Sequence, residues 1–124
     1  MFVHGSHAAV EELVARDATL HGVPGTGDAW VNLRAAIERT SAGLADVEMV
    51  VQDLIAEGDL VAARITSSAT QVGPFMGLPP TGRRYTIGEL HLFRLRDDRI
   101  VEHWHQLDAM GLMRQLGVAP PRSG

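Results

Sequence analysis

The 124-residue sequence contains no cysteine. A disulfide-stabilised scaffold, a thiolate nucleophile and a cysteine-ligated zinc site are therefore excluded. The sequence also lacks an apolar run near the roughly 20 residues that span a bilayer, and residues 1–7 lack the apolar middle of a signal peptide. These absences predict a cytoplasmic protein with no membrane segment.

Basic residues are in the minority as well. Eleven basic residues face fifteen acidic ones, which gives a net charge of −4 with the histidines neutral. This sign is opposite to the one that binds phosphate backbones, so we expect no nucleic-acid partner. The sequence has no P-loop, no Gly-x-Gly-x-x-Gly and no Gly-x-Ser-x-Gly, so nucleotide-binding and serine-hydrolase functions lack support.

The sequence does have the composition of one globular domain. Apolar residues make up 45% of the chain and charged residues 21%, and this length suits a single hydrophobic core. We expect one domain over residues 1–118 and a flexible tail over residues 119–124, which are rich in Pro, Ser and Gly. Six histidines are the notable titratable groups.

The first forty residues predict a helix, a strand and a second helix. Ser6 is a candidate cap for a helix over residues 7–15, and a short strand is expected over residues 18–21. Asp28 is a candidate N-cap for a longer helix that ends near Gly43.

From Asp46 onward, apolar residues recur with a period of two, which is typical of strands. Gly58-Asp59 is expected to turn a first hairpin, and Asp97-Asp98 a second one between strands over residues 85–96 and 99–107. A final helix is predicted over residues 108–116. The order predicts an α+β fold in which helices gather on one face of an antiparallel sheet.

The second hairpin is expected to bring histidines together. With two aspartates at the turn, residues whose numbers sum to about 195 or 196 lie opposite each other. His91 then faces His105 or its neighbour, Phe93 faces His103, and alternation places Glu89 on the same face. Directly opposed side chains lie about 5 Å apart at Cβ, close enough for two imidazoles to serve one bound molecule.

Two interpretations of this cluster stand side by side. A single strand histidine is commonly solvated or a hydrogen-bonded core residue, whereas three on one face supply a proton donor and a proton acceptor near neutral pH. The opposite face carries Arg94, Glu102 and Trp104. Those three residues would form the site if that face were the interior.

Several motifs carry a family resemblance. They read Ala-Glu-Gly-Asp-Leu-Val-Ala-Ala-Arg at 56–64, Gly-Leu-Pro-Pro-Thr-Gly-Arg at 77–83, and Asp-Asp-Arg-Ile-Val-Glu-His-Trp at 97–104. From Val14 onward the chain resembles the SnoaL-like polyketide cyclase and ester cyclase family, within the nuclear transport factor 2-like superfamily. The resemblance implies a cone-shaped, strongly curved sheet packed on helices, with a pocket inside the cone.

The resemblance also implies a reaction. Cyclases of this family close rings in polyketide-like carbonyl compounds by acid–base aldol chemistry, with no metal and no organic cofactor. In the family pattern a histidine at the position of His91 and an acid–base residue on the neighbouring strand face the substrate. The second position carries an aspartate in some cyclases, and here it is His105.

We therefore predict His91 and His105 as the catalytic pair, with one taking an acidic C–H proton and the other protonating the acceptor carbonyl. Asp108 is expected either to orient a histidine or simply to cap the last helix. The residues expected to contact substrate lie on the same strand face or near the expected pocket: His21, Met49, Gln71, Phe75, Met76, Glu89, Phe93 and His103. The methionines are equally explained as core residues.

Three features leave other functions open. Gln71 stands where many relatives carry a histidine, and the first helix is shorter than is usual in the family, which leaves a non-catalytic binding or assembly module as an alternative. His103-x-His105 with His91 also has the composition of a catalytic zinc site, so a metal-dependent hydrolase is a second alternative.

Since superfamily members often pair through the exposed sheet face, we expect a homodimer.

Overall fold

The computed structural model describes residues 7–118, although not the side chain of His7. Three helices and five strands follow one another: α1 (His7–Leu13), β1 (Val14–Leu20), α2 (Ala29–Gly43), β2 (Leu44–Glu57), β3 (Leu60–Gln71), β4 (Arg84–Arg96), β5 (Arg99–Leu107) and α3 (Ala109–Leu116). The cap expected at Ser6 and the tail expected over residues 119–124 lie outside the described residues. None of the helices described is long and apolar enough to cross a membrane.

Capping residues fix the bounds of α2 and α3 as the sequence predicts. The Asp28 carboxylate accepts a hydrogen bond from the Val31 N–H at 2.9 Å, and Asp108 accepts one from the Gly111 N–H at 2.9 Å. Gly117 ends α3 in the left-handed conformation, at φ 76°, which glycine adopts without a Cβ penalty. The first helix is two residues shorter than predicted because the chain enters β1 directly at Val14.

The five strands form one mixed sheet in the order β1-β5-β4-β3-β2. Strands β2 to β5 are antiparallel neighbours, joined at the two predicted hairpins. Asp97 and Asp98 both have positive φ, at 51° and 65°, so this turn has the backbone twist that suits a two-residue hairpin. The α+β prediction is confirmed, with one addition: β1 runs parallel to β5 and begins four residues earlier than the predicted strand.

One face of the sheet packs against the helices. Ala69, Tyr85 and Ile87 project from β3 and β4 and form the buried core with Leu112 and Leu116 of α3. We call this the inner face and the opposite one the outer face. Because side chains alternate along a strand, every second residue of β4 from Tyr85 onward belongs to the inner face.

The core contact of α3 gives a stability prediction. Leu112 is 1% exposed, so Leu112→Ala removes buried methyl groups and leaves a cavity that lowers the free energy of unfolding by about 2–5 kcal/mol. Met110, on the same helix but 56% exposed, is the matched control, and Met110→Ala is expected to change stability by less than about 0.5 kcal/mol. Urea unfolding followed by circular dichroism measures both; equal losses would contradict the placement of α3.

Candidate active site

The second hairpin has the register that the sequence predicts. His91 pairs with His105, Phe93 with His103, and Glu89 with Leu107. These residues continue the alternation of Tyr85 and Ile87 along β4, so they lie on the inner face. The face that packs against the helices is therefore the face that carries the histidines.

Three of these side chains form a hydrogen-bonded row. Glu89 Oε1 lies 2.8 Å from His91 Nε2, and His91 Nδ1 lies 2.9 Å from His103 Nε2. The two imidazole planes differ by 16° at a centroid separation of 5.2 Å, which places them edge to edge rather than one above the other. We call Glu89, His91 and His103 the polar row; both ring nitrogens of His91 are engaged within it.

Neighbouring rings hold the polar row in place. Phe93 lies beside His103 with ring centroids 4.8 Å apart, and His105 lies 5.3 Å from His91. Ala63, directly opposite His91 on β3, has no side-chain atom beyond Cβ to crowd the His91 ring. On the other side, a Cβ at Gly22 would lie 2.4 Å from the ring of His105, so only glycine at this position allows the His105 ring its present place.

Burial of the polar row changes the pKa values of its side chains. The side chains of Glu89 and His91 are 13% and 14% exposed. Burial alone would raise the pKa of Glu89, but the hydrogen bond and charge of His91, together with Ser67, outweigh it and lower that pKa. Burial lowers the pKa of His103 to about 4, assisted by the charges of His91 and His105. At neutral pH the Glu89 carboxylate is therefore ionised, and His103, at the other end of the polar row, is neutral.

His105 is neutral for similar reasons. Burial and the nearby charge of His91 lower its pKa, and Glu89 opposes them. Among residues 7–118, its Nδ1 is the buried side-chain nitrogen or oxygen that has no hydrogen-bond partner. An acceptor nitrogen tolerates that position better than an N–H, so we assign the proton of neutral His105 to Nε2.

Two residues near the polar row were not predicted as site residues from the sequence. Ser67 is 4% exposed on the inner face of β3, and its hydroxyl helps to lower the pKa of Glu89. Tyr85 lies two inner-face positions before Glu89 on β4, and burial together with the charge of Glu89 raises its pKa to about 12. The period-two alternation from Ala63 to Ser67 was the available signal, because it places that hydroxyl on the histidine face.

Apolar side chains surround the open end of the inner face. Val51 and Leu54 of β2 pair with Ile65 and Ala63 of β3, which puts them on the inner face, yet they are 40% and 67% exposed. Met49, a predicted contact residue, pairs with Ser67 on the same face and is partly buried. The polar row thus stands beside an accessible apolar surface, an arrangement that suits a largely apolar carbonyl compound.

His21, one of the expected substrate contacts, does not lie near the polar row. Its Nε2 lies 2.7 Å from Glu102 Oε2, and its ring stacks on Trp104 at 4.9 Å. Leu20 pairs with His103, so the following residue projects to the other side of the sheet. His21 therefore belongs to the outer face, together with Arg94 and its partners.

Asp108 and Gln71 have structural roles. The Asp108 carboxylate caps α3, the simpler of its two predicted explanations. Gln71 is 0% exposed, and its amide donates to the carbonyls of Leu78 and Pro79 while its oxygen accepts from the Thr81 hydroxyl. All of its polar atoms are thus committed to the Gly/Pro loop, which removes the basis for expecting a substrate contact.

Phe75 and Met76 lie in the same loop, away from the row. Phe75 stacks on Tyr85 with ring centroids 6.4 Å apart and packs against the core. Met76 is 54% exposed, with φ at 52°. The structure therefore brings together Glu89, His91, Phe93, His103 and His105, and keeps the other predicted residues, Met49 excepted, outside this cluster.

The three histidines do not form a set of metal ligands. Both ring nitrogens of His91 are used within the polar row, and within residues 7–118 no group of three His, Cys, Asp or Glu side chains is arranged to hold a metal ion. His91 Nδ1 and His103 Nε2 point at each other across their 2.9 Å contact rather than toward a point shared with His105.

The outer face carries two shallow grooves. Their volumes are about 360 and 470 Å³, and they share Arg64, Leu90 and Gln106. Arg64 is already paired with Asp53 at 2.6 Å. The grooves of the outer face are therefore largely apolar, and the charge of Arg64 beside them is already paired.

Comparison with known proteins agrees with this architecture. The sequence pattern of the SnoaL-like polyketide cyclase family matches residues 1–116. The chain belongs to this family. Nogalonic acid methyl ester cyclase of Streptomyces nogalater is 34% identical over 101 residues, which cover 81% of this chain and 74% of that protein.

Two further relatives define the extent of the likeness. Aklanonic acid methyl ester cyclase DnrD of Streptomyces peucetius is 38% identical over 64 residues, or 52% of this chain but 44% of that protein, so this match spans less than half of the relative. The structure of TsrD from Streptomyces laurentii superposes with a TM-score of 0.87 at 32% identity, covering 95% of this chain and 87% of that one. The likeness in fold to TsrD therefore extends over nearly the whole chain.

The lowered pKa of His103 makes stability depend on pH. The unfolded chain binds a proton at this imidazole near pH 6.5 and the folded protein only near pH 4, so the free energy of unfolding falls as the pH falls between these values. The loss from one such group is at most about 1.4 kcal/mol per pH unit. His103→Asn is expected to flatten the slope between pH 6.5 and 4.5 in urea titrations, and an unchanged slope would contradict the burial of His103.

Proposed function

We propose that this protein closes a ring in a polyketide-like carbonyl compound by acid–base chemistry at its inner-face histidines, without a cofactor. The observation that carries the proposal is the polar row: a buried carboxylate, two hydrogen-bonded imidazoles and a third imidazole beside them. Such a group is suited to moving one proton near neutral pH. Membership of the SnoaL-like polyketide cyclase family supports the same reaction class.

The proposed reaction is an intramolecular aldol closure. An imidazole takes a proton from a carbon next to a carbonyl group, and the electron pair of that C–H bond stays on the substrate as an enolate. The enolate carbon bonds to a second carbonyl carbon, and the removed proton ends on the oxygen of that carbonyl. No electrons are exchanged with another molecule, so neither an oxidant nor a reductant is needed.

The protein's part is to supply proton transfer and position. Imidazole acid–base catalysis contributes about 10²–10⁴-fold, which corresponds to roughly 3–5 kcal/mol of the barrier. In this proposal the Nε2–H of His105 donates a hydrogen bond to the carbonyl oxygen that becomes negative. The exposed side chains of Val51 and Leu54, together with the partly buried Phe93, would hold a flexible substrate in a reactive conformation.

The substrate class follows from the relatives. The names of the curated relatives give aklanonic and nogalonic acid methyl esters as their substrates, and we propose that this chain acts on a methyl ester of that kind. An apolar rim beside a row of hydrogen-bonding groups fits a large carbonyl compound with few charges.

Substitution of the two predicted catalytic histidines tests the proposal. His91→Gln and His105→Gln are each expected to lower kcat about 10²–10⁴-fold on the two methyl esters, because an amide does not exchange protons at neutral pH. His21→Gln, on the outer face, is the matched control and should retain the wild-type rate. Product formation is followed by chromatography, with and without a chelator, and the wild-type rate should not depend on the chelator.

Two outcomes would contradict the proposal. Wild-type rates in both inner-face variants would show that the chemistry does not use these imidazoles. Tight binding of the esters without turnover by the wild-type protein would instead favour the alternative of a binding module with the same fold.

We also propose that the protein is a homodimer that pairs through the outer face. Val50, Ile55 and Leu90 are 51%, 67% and 59% exposed there, beside grooves whose charged neighbour Arg64 is already paired. In a two-fold dimer the same patch of each protomer faces that of its partner. A patch that is apolar and whose nearby charge is already paired can therefore pack against a second copy of this chain.

Charge introduced into this patch tests the pairing. Leu90→Lys is expected to convert the dimer to a monomer in sedimentation experiments, because a dimer would bury the new ammonium group without a partner. Leu54→Lys changes a leucine of similar exposure on the inner face and should leave the dimer intact. A wild-type protein that sediments as a monomer would contradict the proposal.

A further inference from the structure

The polar row leaves His91 without a free ring nitrogen. Its Nε2 is 2.8 Å from the Glu89 carboxylate and its Nδ1 is 2.9 Å from His103 Nε2. A substrate proton can reach His91 only if one of these bonds is broken or if the proton arrives through a neighbour. His91, a predicted catalytic residue, therefore does not receive the substrate's proton directly while both hydrogen bonds are intact.

The carboxylate determines where the protons of the row reside. Ionised Glu89 is an acceptor only, so His91 Nε2 carries a hydrogen and donates it. When His91 carries this one hydrogen only, its other nitrogen, Nδ1, has a lone pair, and His103 donates to it from Nε2. Neutral His103 with a hydrogen on Nε2 has an unprotonated Nδ1.

That nitrogen has no hydrogen-bond partner in the part of the chain that the structure describes, and it is not fully buried. Among the described residues, no group makes a hydrogen bond to His103 Nδ1. The buried polar side-chain atom that lacks a partner within residues 7–118 is on His105 and not on His103, so His103 Nδ1 retains contact with solvent. Phe93, with its ring centroid 4.8 Å away, keeps the His103 ring in place.

We propose that His103 Nδ1 is the atom that accepts the substrate's proton, and that His91 and Glu89 are positioning residues behind it. This assignment rests on the proposed cyclase function and moves the catalytic base from His91 to a residue that the family resemblance does not single out.

The proton inventory of the step closes. As the substrate C–H bond breaks, its proton bonds to His103 Nδ1 and its electron pair remains on carbon. The proton on His103 Nε2 passes along the 2.9 Å hydrogen bond to His91 Nδ1. His91 becomes an imidazolium against the Glu89 carboxylate, and His103 remains neutral as its other tautomer. The reverse transfer returns one proton to the oxygen of the new hydroxyl group.

The tautomers test the geometry without any substrate. In ¹⁵N-labelled wild-type protein at neutral pH, long-range ¹H–¹⁵N spectra of the imidazoles should show His91 and His103 with hydrogen on Nε2 and none on Nδ1. Glu89→Gln should alter the signals of both rings. Glu102→Gln removes the equivalent carboxylate–histidine contact on the outer face and should alter those of His21 alone. Hydrogen on His103 Nδ1 in the wild-type protein would overturn the proposal, whether or not Glu89→Gln folds.

Turnover separates this inference from the proposed function. With the two methyl esters, His103→Asn should lower kcat about 10²–10⁴-fold with KM little changed, and Glu89→Gln should lower it less, since it leaves the base in place. Wild-type kcat in His103→Asn, with His105→Gln impaired, would overturn the role of His103 and leave the cyclase function standing. No turnover by the wild-type protein would refute the cyclase function and this inference with it.

Discussion

The pairing of β4 with β5 is the constraint on which the site depends. Because His91 lies opposite His105 and Phe93 opposite His103, four rings and the Glu89 carboxylate share one small area of the inner face. A slip of one residue would place β4 side chains opposite members of the outward-facing set of β5. The positive-φ turn at Asp97 and Asp98 and the strands on either side of this pair hold the register.

Burial then gives these ordinary side chains their chemistry. Little water reaches Glu89 and His91, whose side chains are 13% and 14% exposed. In such surroundings a charge persists only beside an opposite charge or a hydrogen-bond donor. The carboxylate therefore stays ionised beside His91, while His103 stays neutral with its pKa lowered to about 4. A base poised in this way can take a proton without first losing one to solvent.

Much of this arrangement was predictable from the sequence, for local reasons. Period-two patterns and a two-aspartate turn gave the β4–β5 register, and Asp28, Asp108 and Gly117 marked helix ends through capping chemistry that acts over a few residues. The parallel pairing of β1 with β5 was not predicted, because it joins residues about 80 positions apart in the chain and leaves no local pattern. His21 was misplaced for that reason. Gln71 was misjudged because its three loop partners depend on how the Gly/Pro segment folds back.

The central claim is that the inner face, and not the outer one, receives the substrate. A crystal structure with an unreactive analogue of a methyl ester of this class tests that claim most directly. We expect the analogue against Val51, Leu54 and Phe93, with a carbonyl-bearing carbon next to His103 and an oxygen within hydrogen-bond distance of His105. Density for the analogue in the outer grooves beside Arg64 and Leu90, with the inner face unoccupied, would contradict it.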